Sequence, residues 1–130
     1  MQLSLVGCSS DTIANGANVL FDAVNSNNTL GVGYTPGSGV INLSRTGTYL
    51  VNWWVAVQGA EAEELAFAVS LNGSDVQTTY ADIGVGEISG TAIVTVGSVP
   101  ATLSLVNRSG AEATYVTASG QAGMTVTQLA

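Results

Sequence analysis

Alternation of apolar and polar residues, broken at short intervals, is the feature that most constrains how this chain folds. Val, Thr, Tyr and Trp alternate with polar residues, and Gly or Asn interrupts the alternation about every 8–12 residues. A period of two places successive side chains on opposite faces of a strand, whereas no long stretch follows the helical period. We therefore predict an all-β sandwich or barrel.

We interpret the pattern as ten strands in one domain that covers residues 1–130, with the first strand inside residues 1–10. The predicted strands are Gln2–Val6, Asn18–Val24, Val40–Ser44, Thr48–Gln58, Glu64–Leu71, Asp75–Ala81, Glu87–Val96, Ala101–Asn107, Ala113–Thr117 and Gly123–Leu129. The strongest local signal is Asn72-Gly73, because both residues tolerate the positive φ that a two-residue type I′ hairpin requires.

Two of these strands carry apolar residues on both faces. In Thr48–Gln58, Trp53 and Trp54 are adjacent and must point to opposite sides, and the last strand places Leu129 opposite Met124 and Val126. Apolar residues on both faces imply cover on both faces. One cover is the partner sheet, and we expect the other to be a neighbouring subunit.

The composition supports self-association and excludes several functions. The chain is 46% apolar but only 8% charged, and its net charge of −7 comes from nine acids and two arginines. Two arginines cannot neutralise a nucleic-acid backbone, and no apolar run is long enough to span a membrane. The chain has no His and no Lys, so it lacks an imidazole base and an amine nucleophile. We expect neither an enzyme nor a cofactor.

The densest group of charges, Glu61, Glu63 and Glu64, raises two alternatives. A calcium site needs six to eight oxygen ligands, but the spaced Asp, Asn and Gly residues of a dedicated calcium loop are missing. A carboxylate pair for glycoside hydrolysis could combine this group with Glu87 or Glu112, although nothing in the sequence fixes their separation. We interpret the group as a solvated loop and predict no metal site.

Exposed contacts with a glycan or a receptor are expected from loops, since loops carry binding residues. Tyr34 lies in the polar stretch from Asn25 to Gly39, and Tyr80 lies near the end of a predicted strand. Together with Glu61 and Glu63, these two tyrosines are the candidate ligand contacts.

Four segments together resemble a known family. Gly47 to Val55, with its Gly-x-Tyr start, resembles the strand that opens the core of complement-type and tumour-necrosis-factor-like jelly rolls, and Leu71-Asn72-Gly73 matches the hairpin that follows. Ala101 to Asn107 and the ending Gln128-Leu129-Ala130 resemble the C-terminal domain of bacterial collagen-like surface glycoproteins of the spore exosporium (BclA type).

This resemblance implies a ten-strand, two-sheet jelly roll that forms a compact homotrimer and acts as a display head. It implies an extracellular location on a bacterial cell or spore surface, with a phage virion as the alternative, and an adhesin or receptor-binding head as the alternative function. The implied trimer interface is expected to use apolar strand residues, namely Trp54, Phe67, Leu103, Leu105, Met124, Val126 and Leu129.

Overall fold

The computed structural model describes residues 1–5, 12–27, 30–60, 64–82, 86–116 and 120–130. Within these ranges every regular element is a β-strand, and none of the described residues forms a helix that could cross a membrane. The strands are β1 (Gln2–Leu5), β2 (Thr12–Ile13), β3 (Ala23–Ser26), β4 (Val32–Tyr34), β5 (Ile41–Leu43), β6 (Gly47–Ala60), β7 (Glu64–Leu71), β8 (Ser74–Asp82), β9 (Glu87–Val96), β10 (Ala101–Asn107), β11 (Ala113–Tyr115) and β12 (Ala122–Gln128).

The strands form two antiparallel sheets, which confirms the predicted all-β sandwich. The seven-stranded sheet has the order β2-β11-β6-β12-β1-β3, with β9 paired to the other side of β6. The five-stranded sheet has the order β4-β5-β10-β7-β8. The structure has more strands than the ten predicted, because elements such as β2 and β4 span only two or three residues and show too little alternation to be recognised.

The apolar core lies between the two sheets. Trp53 on β6 and Phe67 on β7 meet there with their ring centroids 6.1 Å apart. Trp53 is only 3% exposed, so the prediction that one of the adjacent tryptophans is a core residue is confirmed. Burying a large apolar side chain of this kind contributes about 1.5–3 kcal/mol, so the contact between these rings holds the sheets together.

The Asn72-Gly73 turn joins β7 to β8, as predicted. Both residues have positive φ, 52° for Asn72 and 85° for Gly73, as the type I′ hairpin requires. The Asn72 side chain also accepts a hydrogen bond from the backbone N–H of Thr102 at 2.9 Å. The turn is thereby attached to the start of β10, the strand that neighbours β7.

The last strand is an interior strand of the seven-stranded sheet. β12 pairs with β6 over Ala122 to Gln128 and with β1 on its other side. The last predicted strand, Gly123–Leu129, is therefore confirmed, with its bounds shifted by one residue. Because β6, β9, β12 and β1 lie side by side, their outward-facing residues form one continuous surface.

Candidate functional site

The outer face of the seven-stranded sheet is the surface that the apolar pattern of β6 led us to expect. We call it the outer face and define it by the residues of β6 that point away from the core and by their neighbours on β9 and β12. Its residues form rows that run across β9, β6 and β12, and the strand register fixes which residues share a row. The rows are Ile93–Leu50–Thr127, Thr91–Asn52–Thr125 and Ser89–Trp54–Gly123.

This face carries a hollow of about 510 Å³. Its described lining comes from β1, β3, β6, β9 and β12, and Glu87, at the first position of β9, is the one ionisable residue in it. Hydroxyl and amide groups form the rest of its polar surface. Apart from the single carboxylate of Glu87, the described lining of the hollow is therefore neutral, in a chain whose net charge is −7.

Two side-chain hydrogen bonds order this polar surface. The Thr91 hydroxyl donates to Oδ1 of Asn52 at 2.8 Å, and the Ser4 hydroxyl donates to Oδ1 of Asn25 at 3.1 Å. Both bonds are exposed in the single chain. Groups that are neutral and already paired lose less on desolvation than free charges do, which suits a surface that another molecule covers.

Trp54 lies across β12 rather than projecting from the sheet. A Cβ built on Gly123 would overlap with Nε1 of the indole and would stand 2.9 Å from Cε2 and 3.2 Å from Cδ1. A Cβ on Gly120 would lie 3.7 Å from Cη2, at the other end of the ring. The indole thus lies over Gly123 of β12 and reaches toward Gly120, which precedes the strand, and Trp54 is half-buried.

Most of the predicted interface residues lie elsewhere. Five of them are buried in the core of the single chain, where no surface remains for a second chain to cover: Phe67, Leu103, Leu105, Met124 and Val126. Their place at a trimer interface stays a prediction, and their burial was not foreseen because an alternating strand does not reveal which of its two faces meets the other sheet. Trp54 is on the outer face, and Leu129, 54% exposed, follows β12 beside Thr48.

Ile93 is a surface residue that was not predicted from the sequence. Ile93 is 61% exposed on β9 and sits opposite Leu50 on β6. In Glu87–Val96 the buried residues Ile88, Ala92, Val94 and Val96 alternate, and Ile93 is the apolar residue out of phase with them. That departure from a period of two is the signal that could have identified it.

The candidate ligand contacts differ in how exposed they are in the structure. The Tyr34 hydroxyl donates to the backbone oxygen of Phe21 at 2.6 Å and accepts from the N–H of Gly39 at 3.2 Å, while burial raises its pKa. The half-buried Tyr34 therefore links the backbone at Phe21 to that at Gly39, and its role as a ligand contact stays a prediction. Tyr80, on β8, is 62% exposed. Glu61 and Glu63 lie outside the described residues.

Carboxylates gather at one end of the sandwich. Glu64 at the start of β7 lies directly opposite Asp82 at the end of β8, and Glu87 begins β9 at the same end. Two like charges in direct register destabilise a strand pair slightly, so this end relies on hydration. Among the described residues, no group of three or more His, Cys, Asp or Glu side chains is arranged to hold a metal ion.

No protein-family model and no curated protein sequence matches the chain. Among solved structures, the vertex protein P5 of PRD1 is similar, with a TM-score of 0.60 and 22% identity over 99% of this chain and 96% of that one. Rabbit GITRL is also similar, with a TM-score of 0.55 and 14% identity over 76% of this chain and 77% of that one. Pika GITRL gives 0.54 and 13%, over 78% and 85% of the two chains. The fold is a tumour-necrosis-factor-like jelly roll, as the sequence resemblance implied.

Proposed function

We propose that this chain is a non-enzymatic head domain that associates with two further copies of itself through the outer face. The observation that carries the proposal is an outer face that is neutral apart from Glu87. It combines the apolar side chains of Leu50, Trp54 and Ile93 with hydroxyl and amide groups, and its one ionisable residue, Glu87, begins β9. Burial of this surface would make folding and association interdependent.

The charge of the chain favours this face over others for self-association. Each chain carries −7, so three copies carry −21 and repel one another wherever their acids come close. Contact between copies is least costly where neither surface is charged. Apolar strand residues that are partly exposed in one chain are then covered by a second chain, as the apolar pattern on both faces of β6 predicts.

The proposed role of the assembly is display. β1 begins and β12 ends toward one end of the sandwich, where the N–H of Thr48 donates to the oxygen of Ala130. Glu64, Asp82 and Glu87 lie at the opposite end. A stalk or particle joined to either end of the chain would leave the acidic end facing outward.

Two locations are compatible with such a head. A collagen-like bacterial surface protein of the exosporium type is supported by the sequence resemblance of Ala101–Asn107 and of the final Gln128-Leu129-Ala130. A virion is supported by the likeness to the PRD1 vertex protein, which spans nearly the whole of both chains. Both are extracellular display positions.

A charge introduced on the outer face tests the proposed association. Ile93→Glu places a carboxylate in the row of Leu50, whereas Val99→Glu makes the same change at an exposed site outside the strands. We expect light scattering to show a trimer for the parent chain and for Val99→Glu, and a monomer for Ile93→Glu. Equal masses for the two variants would contradict the proposed interface.

The second candidate function is recognition of a receptor or glycan by the displayed surface, and the exposed Tyr80 ring favours it. Aromatic rings of this kind supply contact area at low entropic cost. Binding of the trimer to a glycan array or to bacterial cells should fall when Tyr80→Ala is introduced and should persist in Val76→Ala, on the same strand. Binding that survives both changes would show that neither Tyr80 nor Val76 contacts the receptor or glycan.

A further inference from the structure

Gly123 is an unusual residue for an interior strand. A glycine there has no side chain to pack and costs conformational entropy, so strand propensity alone favours almost any other residue. Its backbone offers no conformational reason for glycine, since its φ is not in the positive region that favours glycine. The explanation must therefore lie in the space above it.

That space is filled by the indole of Trp54. Trp54 and Gly123 face each other directly across the β6–β12 pair. Three atoms of the five-membered ring lie within 3.2 Å of the position that a Cβ on Gly123 would occupy, and one of them would overlap with it. The indole can lie flat on β12 because Gly123 leaves the sheet surface bare.

We propose that Gly123 controls self-association by keeping the Trp54 ring seated on the sheet. A methyl group at position 123 would displace the ring. Because β12 blocks movement of the ring toward the core, the ring would move toward solvent. The displaced indole would then stand in the path of a second copy. The inference rests on the proposed function, because the partner is another copy of this chain.

The partner chemistry follows from the surface around the ring. Ser89 and Gly123 flank Trp54 in its row, and Asn52 lies in the next row; all three are neutral, whereas Glu87 pairs with Ala56 in the row on the other side. A second copy of this face can approach to the distance at which sheets pack, about 10 Å, only if no ring stands between them. The seated indole then becomes buried contact area instead of an obstacle.

The test uses four variants of the whole chain. Gly123→Ala is the probe, and Gly33→Ala is the matched control, because Gly33 lies in β4 of the other sheet with no atom within 4 Å of its Cβ position. Trp54→Ala removes the ring, and the double variant combines it with Gly123→Ala. Sedimentation measures association, and circular dichroism melting measures folding.

We expect Gly123→Ala to weaken association at least tenfold while the chain still melts cooperatively, and Gly33→Ala to have no effect. In the Trp54→Ala background the same glycine change should alter association less than twofold, because no ring remains to displace. Acrylamide should also quench more of the tryptophan emission in Gly123→Ala than in the parent, whether or not that variant assembles.

Three results would overturn the inference. The first is unchanged association and unchanged quenching in Gly123→Ala. The second is an equal loss of association with and without the Trp54 ring, which would show that Gly123 acts independently of it. The third is a parent chain that stays monomeric, which would overturn the proposed function as well. In the first two cases the proposed function survives.

Discussion

Replacing Asn52 by Asp changes one amide into a carboxylate of nearly the same shape at the centre of the outer face. Asn52 lies between Thr91 and Thr125, and its Oδ1 already accepts a hydrogen bond that a carboxylate can also accept. In the single chain the position is exposed, so the introduced charge stays hydrated. We expect the free energy of unfolding of one chain to change by less than about 0.5 kcal/mol.

Association should respond very differently. A covered carboxylate loses its hydration, and the described residues that line the hollow include no cation to pair with it. An uncompensated buried charge costs about 3–5 kcal/mol. Since about 1.4 kcal/mol is a factor of ten, the association constant should fall by roughly two to four orders of magnitude for each covered carboxylate.

The pH dependence provides an internal check. Burial disfavours the charged form, so the assembled state raises the pKa of the introduced carboxylate above its ordinary value of about 3.9. Assembly of Asn52→Asp should therefore recover as the pH falls toward about 4, and assembly of the parent chain should change much less over the same range. Sedimentation velocity across this range would show both effects.

The matched control for this change is Asn42→Asp. Asn42 is exposed on β5 in the other sheet, so it receives the same change in charge away from the outer face. It should assemble like the parent at neutral pH. If both variants assemble equally well there, the outer face is not covered, and our account of it is wrong.

Three further predictions concern the fold itself. Burial raises the pKa of Tyr115, so folding keeps the phenol neutral. The contribution of this group to stability should be constant below pH about 10 and should then fall by up to about 1.4 kcal/mol per pH unit. Tyr115→Phe should reduce this fall in alkaline denaturation. Gly90→Ala would place a Cβ 2.7 Å from the indole of Trp53 in the core, so chemical denaturation should show that the free energy of unfolding falls by about 1–3 kcal/mol. Gly97 has open space around it, so the free energy of unfolding of Gly97→Ala should stay within about 0.5 kcal/mol of the parent value. Removing residues 125–130 takes most of β12 from between β6 and β1, so this truncated chain should show no cooperative melting, and a soluble two-state product would contradict the topology.

The parts of the fold that the sequence predicts are those with strong local signals. Residues 48–58 carry a large apolar residue at every second position from Tyr49 to Val57, and Asn72-Gly73 admits few conformations other than the tight turn it forms. Short strands such as β2 escaped prediction because two residues cannot display a period. Their pairing is decided by the neighbouring strand β11 instead.

The candidate site was only partly predictable for a related reason. Alternation separates the two faces of a strand but does not tell which face meets the other sheet, so Phe67 and Met124 were placed at an interface and are core residues. Trp54 was identified as an outer-face residue because adjacent residues of a strand, here Trp53 and Trp54, point to opposite faces. The contact between Trp54 and Gly123 joins strands far apart in the chain, and only the β6–β12 register reveals it.

The most direct test of the central claim is the mass of the unmodified chain in solution. One chain has a mass of 13.1 kDa, and sedimentation equilibrium at micromolar concentration should give about three times that value, with little change as the salt concentration rises, because the proposed interface is neutral. A concentration-independent mass of 13.1 kDa would contradict the account.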